Sequence, residues 1–255
     1  MTEQVADGRA NEQRVALVTG GARRVGAAIV RRLHAAGWRI MLHYRASSAD
    51  AAALADELNQ LRAASVATVQ LDLLDTPRLP ELVQATLATF GRLDALINNA
   101  SSFYATPVGS FSEAAWDDLL GSNLKAPLFL AQAAAAALAD THGCIVSMVD
   151  IHTERPYPHF MLYTAAKAGL VAMTRGLARE LAPAVRVNAV APGSNLWPEH
   201  GKAFDAVEQQ RIVDTIPLQR IGAPEDLAQA IEFLLNAPYL TGVVLPVDGG
   251  RSVVL

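Results

Sequence analysis

Asp150, Tyr163 and Lys167 lie within "MVDIHTERPYPHFMLYTAAK", residues 148–167, with the lysine four positions after the tyrosine and the aspartate thirteen before it. A helical pattern over residues 160–181 puts Tyr163 and Lys167 one turn apart on one face. A phenol with an ordinary pKa of about 10 is a poor acid–base group near neutrality, but an adjacent ammonium favours the phenolate and lowers that pKa. The pair can then move a proton at working pH. A Tyr-x-x-x-Lys spacing by itself is common and mostly structural, so its weight depends on what precedes it in the chain.

What precedes it is an alternation of short β-branched runs with longer helical patterns, the signature of βαβ units and a parallel sheet. Seven runs read as strands: 15–20, 39–44, 66–73, 93–100, 144–150, 185–193 and 242–250. Six helical stretches separate them. The expected fold is a single-domain, doubly wound Rossmann-type α/β sheet of seven parallel strands with helices on both faces. Such sheets bind ligands at the carboxyl ends of their strands, which directs attention to Asp72, Asn98 to Ser101, Asp150 and Pro192 to Gly193. Residues 1–14 are polar and read as a disordered tail, residues 15–255 as the domain, and the irregular piece 193–222 as a substrate lid.

The first strand runs into "TGGARRVGAAIVRRLHAAG", a glycine-rich turn opening a helix, where backbone N–H groups and the helix dipole can hold a pyrophosphate. An acidic residue usually ends strand two of a dinucleotide site and takes the ribose hydroxyls of NAD. Here the strand ends in "HYRASS". Arg45, Ser47 and Ser48 offer a cation and hydroxyls to a 2′-phosphate instead, so NADPH is the expected cofactor. Asp72, ending strand three, could accept from the adenine amino group.

Composition excludes other classes. With 21 basic and 25 acidic residues the net charge is −4, so no basic footprint suggests nucleic acid or an anionic membrane. No apolar stretch reaches the ~18 residues of a membrane span, and no targeting signal is evident, which makes the cytoplasm the default location. The lone Cys144 cannot form an internal disulfide and reads as a packed thiol. The run 131–140, "AQAAAAALAD", reads as a buried helix segment. His152 and Glu154 look metal-like, but two ligands without a third make no site, and they read as loop residues.

From "VALVTGG" through "NNA" and "YTAAK" to "VDGG", the chain resembles the short-chain dehydrogenase/reductase family over nearly its whole length. The resemblance implies a proton relay of Tyr163, Lys167 and Asn123, the asparagine of "GSNLKAPLFL". The family usually carries a serine where this sequence has Asp150. Arg24 stands where the family's glycine turn has its middle glycine, and "NNASSFY" stands where strand four usually ends "NNAG". These departures resemble the pteridine reductase branch.

That branch implies reduction of oxidised or dihydro pterins at C=N bonds. By resemblance the cofactor would be lined by Gly20, Arg23, Arg24, Val25, Gly26, His43, Tyr44, Arg45, Ser47, Asp72, Leu73, Asn99, Ala100, Ser101, Met148, Tyr163, Lys167, Pro192, Gly193 and Ser194. A flat, polar-edged pterin needs an aromatic face and rim donors. Phe103 could sandwich it against the nicotinamide, Ser101 could bind its edge, and Arg24 could touch both it and a phosphate. Asp150 and Tyr163 complete the substrate contacts, with Leu196 and Trp197 from the lid. In this reading Asp150 resupplies Tyr163 from water; poor solvation would raise its pKa and the nearby Lys167 would lower it. A homotetramer is implied by the family. Two other readings stay open: a ketone or sugar reductase, and a non-catalytic NADPH sensor.

Overall fold

The computed structural model describes residues 13–197 and 205–254. The seven apolar runs form seven strands: β1 (Val15–Val18), β2 (Arg39–Tyr44), β3 (Val66–Gln70), β4 (Ala95–Asn98), β5 (Cys144–Met148), β6 (Arg186–Pro192) and β7 (Val244–Val247). All pair in parallel, in the order β3-β2-β1-β4-β5-β6-β7. Between and around them run α1 (Arg24–Ala35), α2 (Ser48–Leu61), α3 (Pro80–Phe90), α4 (Glu113–Leu120), α5 (Ala126–Asp140), α6 (Met161–Glu180), α7 (Ala206–Asp214), α8 (Pro224–Asn236) and the short α9 (Arg251–Val254).

The sheet divides the apolar side chains into two cores. Strand side chains alternate in direction, so Val15 and Leu17 of β1 join one core while Ala16 and Val18 join the other. Helices α1, α2 and α8 cover the second face through Ile29, Leu33, Leu54, Leu58, Ile231 and Leu234; α3 and α5 cover the first through Leu82, Phe90, Leu130 and Leu138. Because both faces are covered, the strands read as continuous apolar runs rather than alternating ones. Each buried Leu or Ile contributes roughly 1.5–3 kcal/mol, and truncating Leu33 or Leu17 to alanine would cost about 2–5 kcal/mol.

The strands stop earlier than the sequence suggests. β1 ends at Val18 and β3 at Gln70, so the glycine turn and Asp72 lie in loops beyond the sheet. The alanine-rich run is also not buried throughout: Ala131, Ala134 and Leu138 face the core, while intervening residues are partly or fully exposed. Low side-chain bulk allows close approach on one side, which is all a helix on a sheet requires.

β1 lies between β2 and β4, so successive crossovers leave it in opposite directions and a crevice opens at the carboxyl ends of the strands. One irregularity faces this crevice. Between α4 and α5 the helix widens into a π-helical turn at Gly121–Lys125. Pro127 has no N–H to give to the Asn123 carbonyl four residues back, and such turns are frequent at functional sites. The expected lid contains α7, and residues 198–204 of it lie outside the described residues, as do residues 1–12 of the tail. No described helix is long and apolar enough to cross a membrane.

Candidate active site

A cleft of about 700 Å³ runs along the crevice, from the glycine turn to Tyr163. Every residue expected to line the cofactor borders it except Ser194. Ser194 is instead on the wall of a second, smaller cavity, where its hydroxyl accepts from Arg251 Nη1 at 2.9 Å.

At the cofactor end, the turn's close packing sets the residue types. A Cβ on Gly26 would come within 2.0 Å of the Gly20 carbonyl oxygen, so only glycine fits. Arg24 has φ +52°, the left-handed conformation that glycine adopts easily, which explains how it can occupy a glycine position. Its Nη2 donates to the Trp197 carbonyl at 3.2 Å, joining the turn to the expected lid. Helix α1 begins at this turn with no side-chain cap and no acidic residue in its first turn, leaving backbone N–H groups for an anion.

Several residues expected to touch the cofactor also hold the turn together. His43 Nδ1 accepts from Gly20 N at 3.1 Å, and its Nε2 lies 3.0 Å from the Leu71 carbonyl, where it must be the protonated nitrogen. Burial pushes this imidazole below its ordinary range, so it is a neutral strut. Asn99 Nδ2 donates to the carbonyls of Thr19 and Gly20 at 2.9 and 3.1 Å. Arg45 is exposed at the cleft edge and meets no carboxylate among the described residues, whereas Arg23 lies 3.8 Å from Asp50.

At the other end, the Tyr163 hydroxyl donates to Asp150 Oδ2 at 2.8 Å. Asp150 lies two residues beyond β5 and caps a short turn at Ile151–Thr153. Its Oδ1 accepts from the His152 backbone N and lies 2.8 Å from His152 Nδ1. Burial pushes the carboxyl up, but the His152 ring, its N–H and the Tyr163 hydroxyl outweigh burial and hold it below its ordinary value. Of the two opposing influences expected on Asp150, burial does not win, and the groups that outweigh it are those of His152 and Tyr163 rather than Lys167. His152 is accordingly more than a loop residue. No group of three or more His, Cys, Asp or Glu side chains among the described residues is placed to hold a metal.

The phenol also departs from expectation. Burial, then the charge and hydrogen bond of Asp150, raise the Tyr163 pKa well above its ordinary value. Lys167 turns its ammonium to the Met148 carbonyl at 2.7 Å and lies 5.6 Å from the Tyr163 ring centre. Burial lowers its pKa to about 8 against the pull of Asp150. The cation is therefore near the phenol without being its partner.

Asn123 is fully buried in the π-helical turn. Its Nδ2 donates to the carbonyls of Ser102 and Leu119, both at 2.9 Å, and its Oδ1 accepts from the Ser101 hydroxyl at 2.7 Å. Its side chain holds the loop that carries Ser101 and Phe103, and the Ser101 hydroxyl is engaged there rather than aimed at a ligand. Phe103, half exposed, stacks on Phe160 with ring centres 4.6 Å apart and meets Tyr163 edge-on at 4.8 Å. Phe160 has no distinguishing signal in the sequence, because an aromatic residue before a helix reads as core. Leu196 borders both cavities and Trp197 the smaller one.

With this geometry in view, the class of the chain is clear. A family profile described as enoyl-(acyl carrier protein) reductase matches residues 20–252, and the chain belongs to the short-chain dehydrogenase/reductase family of oxidoreductases. It is 40% identical over 280 residues to pteridine reductase 1 of Leishmania tarentolae, covering 93% of this chain and 96% of that protein. It is 33% identical over 242 residues to 3beta-hydroxysteroid dehydrogenase 1 of Eggerthella lenta, covering 92% of each. It is 32% identical over 239 residues to a 3-oxoacyl-(acyl-carrier-protein) reductase of Staphylococcus aureus, covering 92% and 96%. The family's nicotinamide dinucleotide fits the cleft, since a glycine cradle too tight for a Cβ meets an uncapped helix start.

Proposed function

We propose that the chain is an NADPH-dependent pteridine reductase, acting on C=N bonds of oxidised or dihydro pterins such as dihydrobiopterin and dihydrofolate. The observation that carries this reading is the Tyr163 hydroxyl bonded to a carboxylate, where a carbonyl reductase would use a serine. A serine can bind a ketone oxygen, but unlike a carboxylate it does not take up and release a proton in the working pH range to restore the phenol. The 40% identity to a pteridine reductase and the exposed Phe103 ring beside Tyr163 support the same choice.

When bound, the nicotinamide cofactor would supply hydride to the carbon of the C=N bond. Tyr163, held as the neutral phenol, gives its proton to the neighbouring nitrogen. Lys167 holds the ribose end of the cofactor and favours the phenolate left behind. Asp150, ionised at rest, takes up a proton from solvent and passes it to that phenolate, and Asn123 fixes the loop that presents Phe103 to the ring. Arg45, with Ser47, would bind the 2′-phosphate, and on the lid side of the cleft the Trp197 carbonyl is already tied to Arg24.

The test is a substrate panel with NADPH. Turnover of dihydrobiopterin or dihydrofolate but not of ketones and sugars is the expected result; the reverse pattern would make the chain a carbonyl reductase. Cofactor choice is read in the same assay. A charge-assisted bond to phosphate is worth ~1.5–3 kcal/mol, so Arg45→Ala should lower the NADPH/NADH ratio of kcat/KM about ten- to a hundredfold. An unchanged ratio would assign the phosphate to another residue.

A further inference from the structure

The smaller cavity, about 130 Å³ in volume, opens beside Phe103, Asp150 and Tyr163 and shares those residues with the main cleft. His152 lines it and has no part in the reaction so far described. The His152 Nδ1 lies 2.8 Å from Asp150 Oδ1, while Nε2, on the other side of the ring, is buried without a protein partner. Thr164, also on the wall, has its Oγ1 buried and likewise unpartnered. Tyr157 meets the imidazole edge-on with ring centres 5.4 Å apart, and Arg251, the cation on this wall, is engaged by the hydroxyls of Ser194 and Thr215.

Buried polar atoms are rarely left unpaired, and two of them beside a cavity with room for several molecules of water have a common partner in that water. One of the two belongs to a ring already bonded to the carboxylate. An ionised carboxylate only accepts, so Nδ1 carries the proton between His152 and Asp150. Imidazole is the side chain that takes up and releases protons near neutrality, and its two nitrogens let one proton enter while another leaves. The route to Asp150 is otherwise narrow. Tyr163 occupies Oδ2, the His152 N–H and ring occupy Oδ1, and substrate stacked on cofactor in the main cleft excludes water from that side.

We propose that His152 is the group through which Asp150 draws its proton from solvent, with water in the smaller cavity as the source. The proposal rests on the reading of Tyr163 as proton donor and adds the step that recharges it. Once Tyr163 has given up its proton, the Nδ1 proton of His152 moves to Asp150 Oδ1, and a proton from cavity water enters at Nε2. A half-turn of the carboxyl about Cβ–Cγ, a soft two-fold torsion, then exchanges its oxygens. The new O–H meets the phenolate, and the other oxygen takes up the bond from the His152 N–H. The ring regains its first tautomer by exchange with the same water, so each cycle consumes one solvent proton and passes no electrons through the imidazole. His152 acts only through Asp150 and touches no reacting atom.

The experiment uses the full-length protein with NADPH and dihydrobiopterin, and two variants. His152→Asn keeps an amide N–H to face Asp150 but cannot carry a proton; His152→Ala removes the donor and leaves room for free imidazole. Stopped-flow absorbance of NADPH separates the first turnover, which uses the proton already on Tyr163, from those that follow. Both variants should keep the first-turnover rate and KM, and lose about ten- to a hundredfold in steady-state kcat, at or below the lower end of what a positioned proton-transfer group supplies. Free imidazole should restore kcat in His152→Ala, which it would not do if the variant merely released product slowly. A parental kcat in His152→Asn would mean that the ring only holds the carboxylate in place, and the proposal falls. It falls equally if the first turnover slows as much as the steady state, or if imidazole restores nothing. Should His152→Ala not fold, the two rates of His152→Asn decide alone. If the chain reduces ketones and not dihydrobiopterin, the pterin reading fails and the same two rates, measured with the ketone, decide the relay; turnover of neither overturns both.

Discussion

Tyr163 donates its phenolic proton to Asp150 across 2.8 Å, so the phenol of this site is paired with an anion and not with the neighbouring lysine. The pairing keeps Tyr163 protonated, which is the state a reductase needs at the start of its cycle. On the proposed function, the proton given up at each turnover would be replaced through a group already in contact. Asp150 would be that group, bonded to Tyr163 through one oxygen and to His152 through the other.

Asp150→Ala should therefore lose about 10²–10⁴-fold in kcat for pterin reduction, the usual worth of general acid catalysis, with cofactor binding kept. Asp150→Ser should restore the parent family's pattern and gain slight ketone reduction. Steady-state kinetics at saturating NADPH check both. An unaltered kcat in Asp150→Ala would mean that water reaches Tyr163 directly and that the aspartate is structural.

Lys167 sets an alkaline limit. Its pKa is lowered by burial to about 8, so the ammonium is charged below that pH and lost above it. The neutral amine no longer favours the phenolate that forms as Tyr163 gives up its proton. Tyr163 itself stays protonated through this range, because its own pKa is raised well above the ordinary value. The kcat for reduction should then fall as pH rises through about 8, measured at saturating substrate and cofactor. A profile that stays flat into the alkaline range would remove Lys167 from the chemistry.

Much of this arrangement was legible in the sequence, and the limits have physical causes. Strand periodicity and the glycine turn are local signals, so the sheet and the cleft wall could be read directly; Tyr163 and Lys167 share a helix, which makes their proximity a matter of spacing. The electrostatics could not be read the same way. Burial of Asp150 is visible as an acid among apolar residues, but the donors that reverse its effect come from a turn whose geometry "DIHT" does not announce. The Phe103–Phe160 stack joins loops far apart in the chain, held by the Thr106–Phe160 bridge, and no local pattern encodes it. Ser101 and Asn123 were singled out separately, while their bond to each other appears only in three dimensions.

Arg24 offers a case where function and stability should separate. A non-glycine residue at φ +52° carries roughly 1–2 kcal/mol of steric cost, part of which glycine recovers against its greater unfolded-chain entropy. Arg24→Gly should raise stability by up to about 1 kcal/mol, or about 2–4 °C in Tm. The same change removes the bond to the Trp197 carbonyl and should raise KM for both NADPH and pterin. A variant that is less stable than the parent would show that this contact outweighs the backbone cost.

Phe103 is half exposed yet stacked on one side, so its free face is available to a flat ring while Phe160 fixes its orientation. An aromatic contact is worth about 0.5–1.5 kcal/mol beyond area burial, or roughly two- to twelvefold in affinity. Phe103→Ala should raise KM for dihydrobiopterin by about that factor and leave NADPH affinity nearly intact. Phe160→Leu separates stacking from support, because it removes the partner but keeps the ring that would meet the substrate. Its KM should rise less than that of Phe103→Ala, although both variants lose the same aromatic pair and should unfold at similarly lowered temperatures. Equal KM values in the two variants would mean that Phe103 acts by packing the loop against Phe160, and the stacking role would pass to no residue on this wall of the cleft.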